Sequence, residues 1–338
     1  MTESLQASAM LAALPDGAII VNALSEVTAA NRVALDILQT DPTGVAATSV
    51  IRAPAFSAAL RQAQVKGQSG TAELTFHGKP QRHVNAWISP LGNGGEILVV
   101  LRDLTREQAV EKMRSDFVAN ASHEMRTPLA TIIGAVETLQ GAARDDTKAR
   151  EMFLASMLSQ AQRMKRLIDD LLTLSRIELN EHVRPNSKVS LSAVAKQAKS
   201  NLEQQAQDQK VVLELSTEAS VDVAGEADEL LQVILNLMEN AIKYGGAGGR
   251  VQVTCKKLGP DGVVEVQDFG QGIAEEHIPR LTERFYRVST KESRARGGTG
   301  LGLAIVKHIV LRHRGDLGIQ SALGQGSTFT ISIPLYRS

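Results

Sequence analysis

Aromatic residues make up only 3% of this 338-residue chain, and cysteine occurs once, at Cys255. A single thiol excludes an internal disulfide framework and fits a reducing compartment. Neither charge dominates: 37 basic residues balance 37 acidic ones. Nothing electrostatic therefore points to nucleic acid or an anionic membrane as the main partner. No apolar run approaches the roughly 18 residues of a membrane span; the longest, such as EILVVL (96–101), are strand-sized. The N-terminus lacks a basic segment followed by an apolar block, so no export signal is read there. G-x-x-x-x-G-K-[ST] is missing, which excludes a P-loop. These absences lead to an expectation of a cytoplasmic protein without a membrane span. A spanning segment ahead of Met1 in a longer natural form would not be visible in this sequence.

What is present falls into three zones, and the length allows a separate core for each. Residues 8–104 mix short strands, AIIVN (18–22), VTAAN (27–31), TAELTF (71–76), HVNAWISPL (83–91) and EILVVLRDL (96–104), with the helical patches NRVALDIL and SAALRQAQ. That is an α+β sensory or binding pattern. Residues 105–182 read as two long helices. One carries the stripe Val110, Met113, Phe117, Ala121, Met125, Leu129, Ile132, Val136 and Leu139. GAARDD (141–146) breaks it, and a second stripe runs from Phe153 through Met157, Ala161, Met164, Ile168, Leu171 and Leu174 to Ile177. An antiparallel hairpin follows. One partner helix cannot cover either stripe, so a dimeric four-helix bundle is expected. Residues 186–338 alternate helix and strand as an α/β domain with a mixed, largely antiparallel sheet, after VRPNSK (183–188) as a linker.

Chemistry concentrates in the last two zones. At about 100° per residue, His123 in SHEMRTPL (122–129) lies opposite Ala121, on the wet side of its helix. Pro128 removes a backbone donor and crowds the carbonyl of residue 124, so a bend is expected there. Glu124 stands beside the histidine and can accept the proton that leaves as an imidazole nitrogen attacks. Most surface histidines are nonetheless solvated and inert, so the case rests on the C-terminal zone. There, Asn236 and Asn240 in NLMENAIKY share a helix face, with Lys243 and Tyr244 on the next turn. Amide oxygens are acceptable magnesium ligands where phosphates and water complete the shell; capping backbone groups is the alternative. DFGQG (268–272) ends a strand with a carboxylate suited to an exocyclic amine, and Gly270 and Gly272 permit close approach of a flat base. RGGTGLGLA (296–304) opens a helix with glycines at 297, 298, 300 and 302, leaving amides for phosphate. Between them, residues 274–296 are polar and basic around VSTKESRAR, which suggests a lid. ERFYR (283–287) places Arg287 where a guanidinium could reach a terminal phosphate.

The order of these segments resembles that of the sensor histidine kinases of two-component systems. SHEMRTPL looks like their phospho-acceptor box, NLMENAIKY the N box, DFGQG the first glycine box, ERFYRV (283–288) the F box and GTGLGLA (298–304) the second glycine box. The likeness spans roughly residues 105–338, and its style is closest to the phosphate-regulon sensor group. The front zone is similar to a PAS domain in PDGAIIVN (15–22) and LRDLTREQ (101–108).

The resemblance implies a PAS-like domain, a dimerising phosphotransfer hairpin and an ATP-binding sandwich of the GHKL (Bergerat) type shared with gyrase and Hsp90. It implies ATP bound with Asp268 on the adenine, and magnesium on Asn240 helped by Asn236. Lys243, Tyr244 and Arg287 would contact nucleotide. Gly270, Gly272, Gly298, Thr299, Gly300, Leu301 and Gly302 belong to the glycine boxes around it. His123 would take the γ-phosphoryl group with Glu124 as base, then pass it to an aspartate of a response regulator. Thr127, at E-x-x-T spacing from Glu124, implies phosphatase activity towards that regulator. Leu281-Thr282 departs from a common Ile-Phe pair and removes one aromatic from the base of the lid. An ATPase clamp or a non-enzymatic scaffold would share the C-terminal motifs yet give His123 no role. In the front zone His77 and His83 could be haem ligands, but lone histidines on strands are more often solvated side chains, and the lack of cysteine disfavours a cysteinyl flavin.

Overall fold

The computed structural model describes residues 9–78, 80–92, 94–180, 182–245, 248–288 and 298–337. The chain divides into two compact units, Met1–Val118 and Ala119–Ser338.

The first unit is a five-stranded antiparallel sheet of β1 (Gly17–Val21), β2 (Val27–Ala30), β3 (Gly70–Phe76), β4 (Arg82–Leu91) and β5 (Glu96–Asp103), in the order β2-β1-β5-β4-β3. All five strands fall where alternation places them. Helices α1 (Arg32–Leu38), α2 (Ala47–Val50) and α3 (Pro54–Lys66) lie between β2 and β3. The strands and helices share one core built from residues such as Ile19, Ile37, Phe56, Leu60, Val84, Ile88 and Leu101. Asn31 explains how the connections hold. Its Oδ1 accepts from the backbone N–H of Ala18 and of Ala34, capping α1, while Nδ2 donates to the carbonyls of Leu11 and Asp16. A buried amide must satisfy both ends, and this one joins three segments in doing so. His77 is exposed, and His83 sits half-buried near Thr75, with Nδ1 3.5 Å from its hydroxyl.

Two long helices follow, α4 (Thr105–Gln140) and α5 (Thr147–Leu179). Asp146 caps α5 by accepting from the amides of Lys148 and Ala149. Helix α4 continues through Pro128 as one element, with Thr127 Oγ1 donating to the carbonyl of His123 and Thr131 Oγ1 to that of Thr127. The proline therefore interrupts the hydrogen-bond ladder without ending the helix. The expected stripe on α5 holds at Leu174 and Ile177, which are buried, while Ile168 is exposed and its neighbour Leu167 is buried in its place. Leu129, Ile133, Leu158 and Leu172 remain exposed on the single chain.

The C-terminal part of the second unit is a two-layer sandwich. Its main sheet runs β11-β12-β10-β9-β7 through β7 (Val212–Thr217), β9 (Arg250–Leu258), β10 (Asp261–Asp268), β11 (Asp316–Ala322) and β12 (Gly326–Pro334). Only β7 and β9 pair in parallel. Helices α6 (Leu191–Asp208), α7 (Ala227–Gly245) and α8 (Gly302–Arg312) cover one face. Helix α7 buries Leu230, Val233, Ile234, Leu237, Met238, Ala241 and Ile242, and each large side chain contributes about 1.5–3 kcal/mol by leaving water. Alternation did not reveal a small second sheet, β6 (Ser187–Ser190) with β8 (Asp222–Gly225).

That sheet corrects the linker reading of 183–188, since Ser187 and Lys188 already pair with Gly225 and Ala224. The segment just before it is also held: Arg312 Nε donates to the carbonyls of Asn180 and Val183, both at 3.1 Å, while its Nη1 pairs with Glu229. Beside them His313 is fully buried. Its Nε2 accepts from the Glu226 amide, so Nδ1 carries the hydrogen and donates to the Ile309 carbonyl. Burial pushes this imidazole below its usual value and keeps it neutral.

Candidate active site

The strand β10 ends at Asp268, which is buried and paired in the ladder with Ser327 and Val251. Its Oδ1 accepts from the Gly270 amide at 2.9 Å. Burial pushes this carboxyl above the usual range, and the hydrogen bonds from Gly270 and Ser327 offset only part of that rise. Gly245, the last residue of α7, lies so close that a Cβ there would meet Asp268 Cβ at 2.4 Å; one on Gly270 would meet Gly245 Cα at 2.7 Å. Both positions must be glycine for the carboxylate to keep its place. Gly272 adopts φ +69°, and any side chain there would strike the Ala322 carbonyl.

Along α7, Asn236 and Asn240 share a face as expected. Asn236 Nδ2 donates to the carbonyl of Gly302 at 3.4 Å and its Oδ1 accepts from Gln232. This amide therefore anchors the start of α8. Asn240, one turn on, is half-buried, and its side-chain amide forms no hydrogen bond among the described residues. Lys243 pairs with Glu239 at 2.8 Å, and Tyr244 follows, half-buried. Among the described residues no cluster of three His, Cys, Asp or Glu could hold a metal ion. A hard cation would fit here only as a shared ligand, on the Asn240 oxygen together with phosphates and water.

The second glycine segment opens a helix as expected, but only from Gly302, and α8 covers Gly302–Arg312. Gly300 takes φ +75°, and a Cβ would meet the Phe285 backbone at 2.9 Å. Its carbonyl accepts from the Phe285 amide at 2.8 Å, which ties this segment to the Phe-Tyr-Arg run. Leu301 is fully buried, and α8 begins without a side-chain cap, leaving first-turn amides for an external acceptor. The basic lid around VSTKESRAR and Gly297 lie outside the described residues, apart from Val288.

His123 is exposed on α4, as its helical phase requires, and Thr127 is exposed one turn away. Glu124 is not simply solvated. Its Oε2 accepts from Arg163 Nη2 of α5 at 2.6 Å and from Arg287 Nη2 at 3.2 Å. Arg287 also donates to the Gly298 carbonyl, and its Nε is buried without a hydrogen-bond partner among the described residues. Nearby, Thr299 Oγ1 donates to Asp170 of α5 at 2.7 Å, and Arg284 pairs with Glu178. Burial pushes the Asp170 carboxyl upward. Sequence reading did not find Arg163, Asp170, Glu178 or Arg284, since each partner lies 39 or more positions away. The one available signal was that three of the four are charges beside the apolar stripes.

The fold and these contacts describe a helical hairpin with an exposed histidine, joined to an α/β sandwich whose glycine segments surround a buried carboxylate. Residues 113–180 match the family described as His Kinase A (phospho-acceptor) domain, and residues 225–337 that described as Histidine kinase-, DNA gyrase B-, and HSP90-like ATPase. The chain belongs to the sensor histidine kinases. It is similar to the phosphate regulon sensor protein PhoR of Pseudomonas aeruginosa, with 40% identity over 235 residues, 70% of this chain and 53% of that protein. Sensor protein SrrB of Staphylococcus aureus is 32% identical over 257 residues, 74% of this chain and 43% of that protein. The chain thus spans about half the length of the curated relatives it matches. Among solved structures, Acinetobacter baumannii histidine kinase AdeS is 28% identical, with a TM-score of 0.52 over 64% of this chain and 98% of that chain. Among the described residues no helix is long and apolar enough to cross a membrane.

Proposed function

We propose that the chain is an ATP-dependent protein-histidine kinase that phosphorylates itself on His123 and passes the phosphoryl group to an aspartate of a response regulator. One observation carries this reading: an arginine of the ATPase-like part, Arg287, reaches the carboxylate beside the exposed histidine. The hairpin and the nucleotide elements can therefore meet at His123. In the transfer, a ring nitrogen of His123 with a free lone pair attacks the γ-phosphorus. The bond to the bridging oxygen breaks and ADP leaves with those electrons. The proton on the other ring nitrogen passes to Glu124, which must first give up Arg287. Such transfers depend on positioning and on neutralising charge on the phosphoryl oxygens, the work assigned to Arg287. Asn240 would hold magnesium, which would supply positive charge against the phosphates. Asp268 would accept from the adenine amine. Asn236, Lys243, Tyr244, Gly270, Gly272, Gly298, Thr299, Gly300, Leu301 and Gly302 would shape the nucleotide site.

Three further assignments belong to the same reading. The exposed stripe through Leu129, Ile133, Leu158 and Leu172 would be covered by a second copy, giving a four-helix bundle. Thr127 would support dephosphorylation of the regulator, and similarity to the phosphate regulon sensor PhoR supports a role in a phosphate-starvation response. The domains would be 8–104, PAS-like from its five-stranded antiparallel sheet, 105–182 and 186–338.

Incubating the protein with γ-labelled ATP tests the main proposal. An acid-labile, alkali-stable label is expected, and His123→Gln should lose it. Phosphate release without self-labelling would instead make the chain an ATPase clamp. A second test concerns pH. Adenine recognition needs Asp268 as an acceptor, so ionisation favours binding and protonation opposes it. Because its carboxyl is raised, ATP affinity should weaken as pH falls through that raised value, before ordinary carboxylates titrate. Calorimetric titration across pH should show this, and Asp268→Asn should bind more weakly with a flat acid limb.

A further inference from the structure

Helices α4 and α5 run antiparallel from the turn at 141–146. Glu124 and Arg163 each stand sixteen residues from the turn end of their helices (124 to 140, 147 to 163). Equal rise per residue puts them at the same height, and the 2.6 Å ion pair confirms it. The pairing is therefore a property of the hairpin itself. Arg287 reaches the same Glu124 oxygen from the loop before α8. It cannot stay there and also serve a phosphate. When it leaves, Arg163 still holds the carboxylate from within the hairpin.

From this we infer that Arg163 is the positioning residue for Glu124 in phosphorylation of His123. This rests on the phosphoryl-transfer reading above. A Glu side chain on a helix surface samples several rotamers, and a proton acceptor must sit within hydrogen-bond reach of the nitrogen it serves. The Arg163 guanidinium, 11% exposed and set against a carboxylate 16% exposed, holds Oε2 in place and so narrows the rotamers open to Glu124. A charge-assisted bond of this length, largely out of water, is among the stronger side-chain contacts. Arg163 touches neither nucleotide nor histidine in this role. It acts through Glu124.

The test uses the full-length chain and the self-labelling rate with γ-labelled ATP. Arg163→Ala should lower kcat by about 10-fold, a part of the roughly hundredfold or more that a general base supplies. KM for ATP should not change, because the nucleotide elements lie on α7, β10 and α8. Arg163→Lys keeps the charge without the fork geometry and should recover part of the rate. In a Glu124→Gln background, Arg163→Ala should cost nothing further, since no carboxylate is left to position. An equal loss in both backgrounds, a change confined to KM, or no loss would overturn the inference. Thermal melting and dimer mass check that each variant folds, and Arg163→Lys carries the test if the alanine variant does not. Failure of the wild-type chain to label itself would sink the kinase reading. A labelled wild type with an indifferent Arg163→Ala would sink only this inference.

Discussion

Arg287→Ala is expected to slow self-phosphorylation by about 100-fold or more, with a smaller change in KM for ATP. Two effects oppose each other in this variant. Removing the guanidinium releases Glu124 from its contact with Arg287, which favours the free base. It also removes the charge that would meet the phosphoryl oxygens as they gain charge in the transition state. The first effect is small, because Arg163 still holds the carboxylate at 2.6 Å and no buried charge is orphaned. The second is worth roughly 3–4 kcal/mol in comparable water-excluded sites. The loss should win. Arg287 is also incompletely satisfied where it stands, since its Nε is buried without a partner among the described residues. An unmet buried donor costs about 1–3 kcal/mol, so this placement favours departure towards a better acceptor. Single-turnover labelling would measure the rate. A value within about twofold of wild type, only ~0.4 kcal/mol, would remove Arg287 from the phosphoryl-transfer machinery.

Asn240→Ala should have a comparable effect by a different route. The amide is half-buried on α7 and makes no hydrogen bond among the described residues. Its neighbour Asn236, in contrast, is engaged by Gly302 and Gln232. Trimming Asn240 therefore breaks no contact within the fold, and α7 should keep its stability, alanine being the best helix former. What disappears is the oxygen offered to a hard cation. Loss of even an outer-shell partner lowers metal affinity by about 10- to 100-fold, so removal of a direct ligand should lower kcat/KM by at least about 100-fold. Nucleotide binding measured with and without magnesium separates the effects: the variant should lose the magnesium-dependent increment and keep the remainder. An unchanged magnesium dependence would assign the ion elsewhere.

Much of the architecture was legible because the relevant signals are local. The alternation in HVNAWISPL and the 3.6-residue period in ADELLQVILNLMENAIKYG each depend on neighbours within two turns, and both elements appear where they were read. The short strands β6 and β8 were not legible. Four residues are too few for a period to emerge, and their pairing joins positions 32 to 38 apart in sequence. At the site, residue types and order were readable, but partners were not. Glu124 was read as a proton-accepting carboxylate beside His123, and only the folded chain brings Arg163 and Arg287 to it. Gly245 escaped notice for a similar reason. Its role is defined by a steric clash with Asp268, which the chain reaches 23 residues later. Asn31 was read as the start of a helix, without its bonds back to Ala18, Leu11 and Asp16.

Arg312 has a mechanical consequence. It fastens the carbonyls of Asn180 and Val183 to the last turn of α8, so the exit from α5 is a fulcrum and not a slack tether. The opposite end of α8, at Gly302, lies ten residues from Arg312, a lever arm of about 15 Å at 1.5 Å per residue. A swing of roughly 20° about the fulcrum carries that tip some 5 Å (about one helical pitch), enough to part Thr299 from Asp170 and Arg287 from Glu124 together. A modest torque at the base is thereby geared into a large stroke at the nucleotide end.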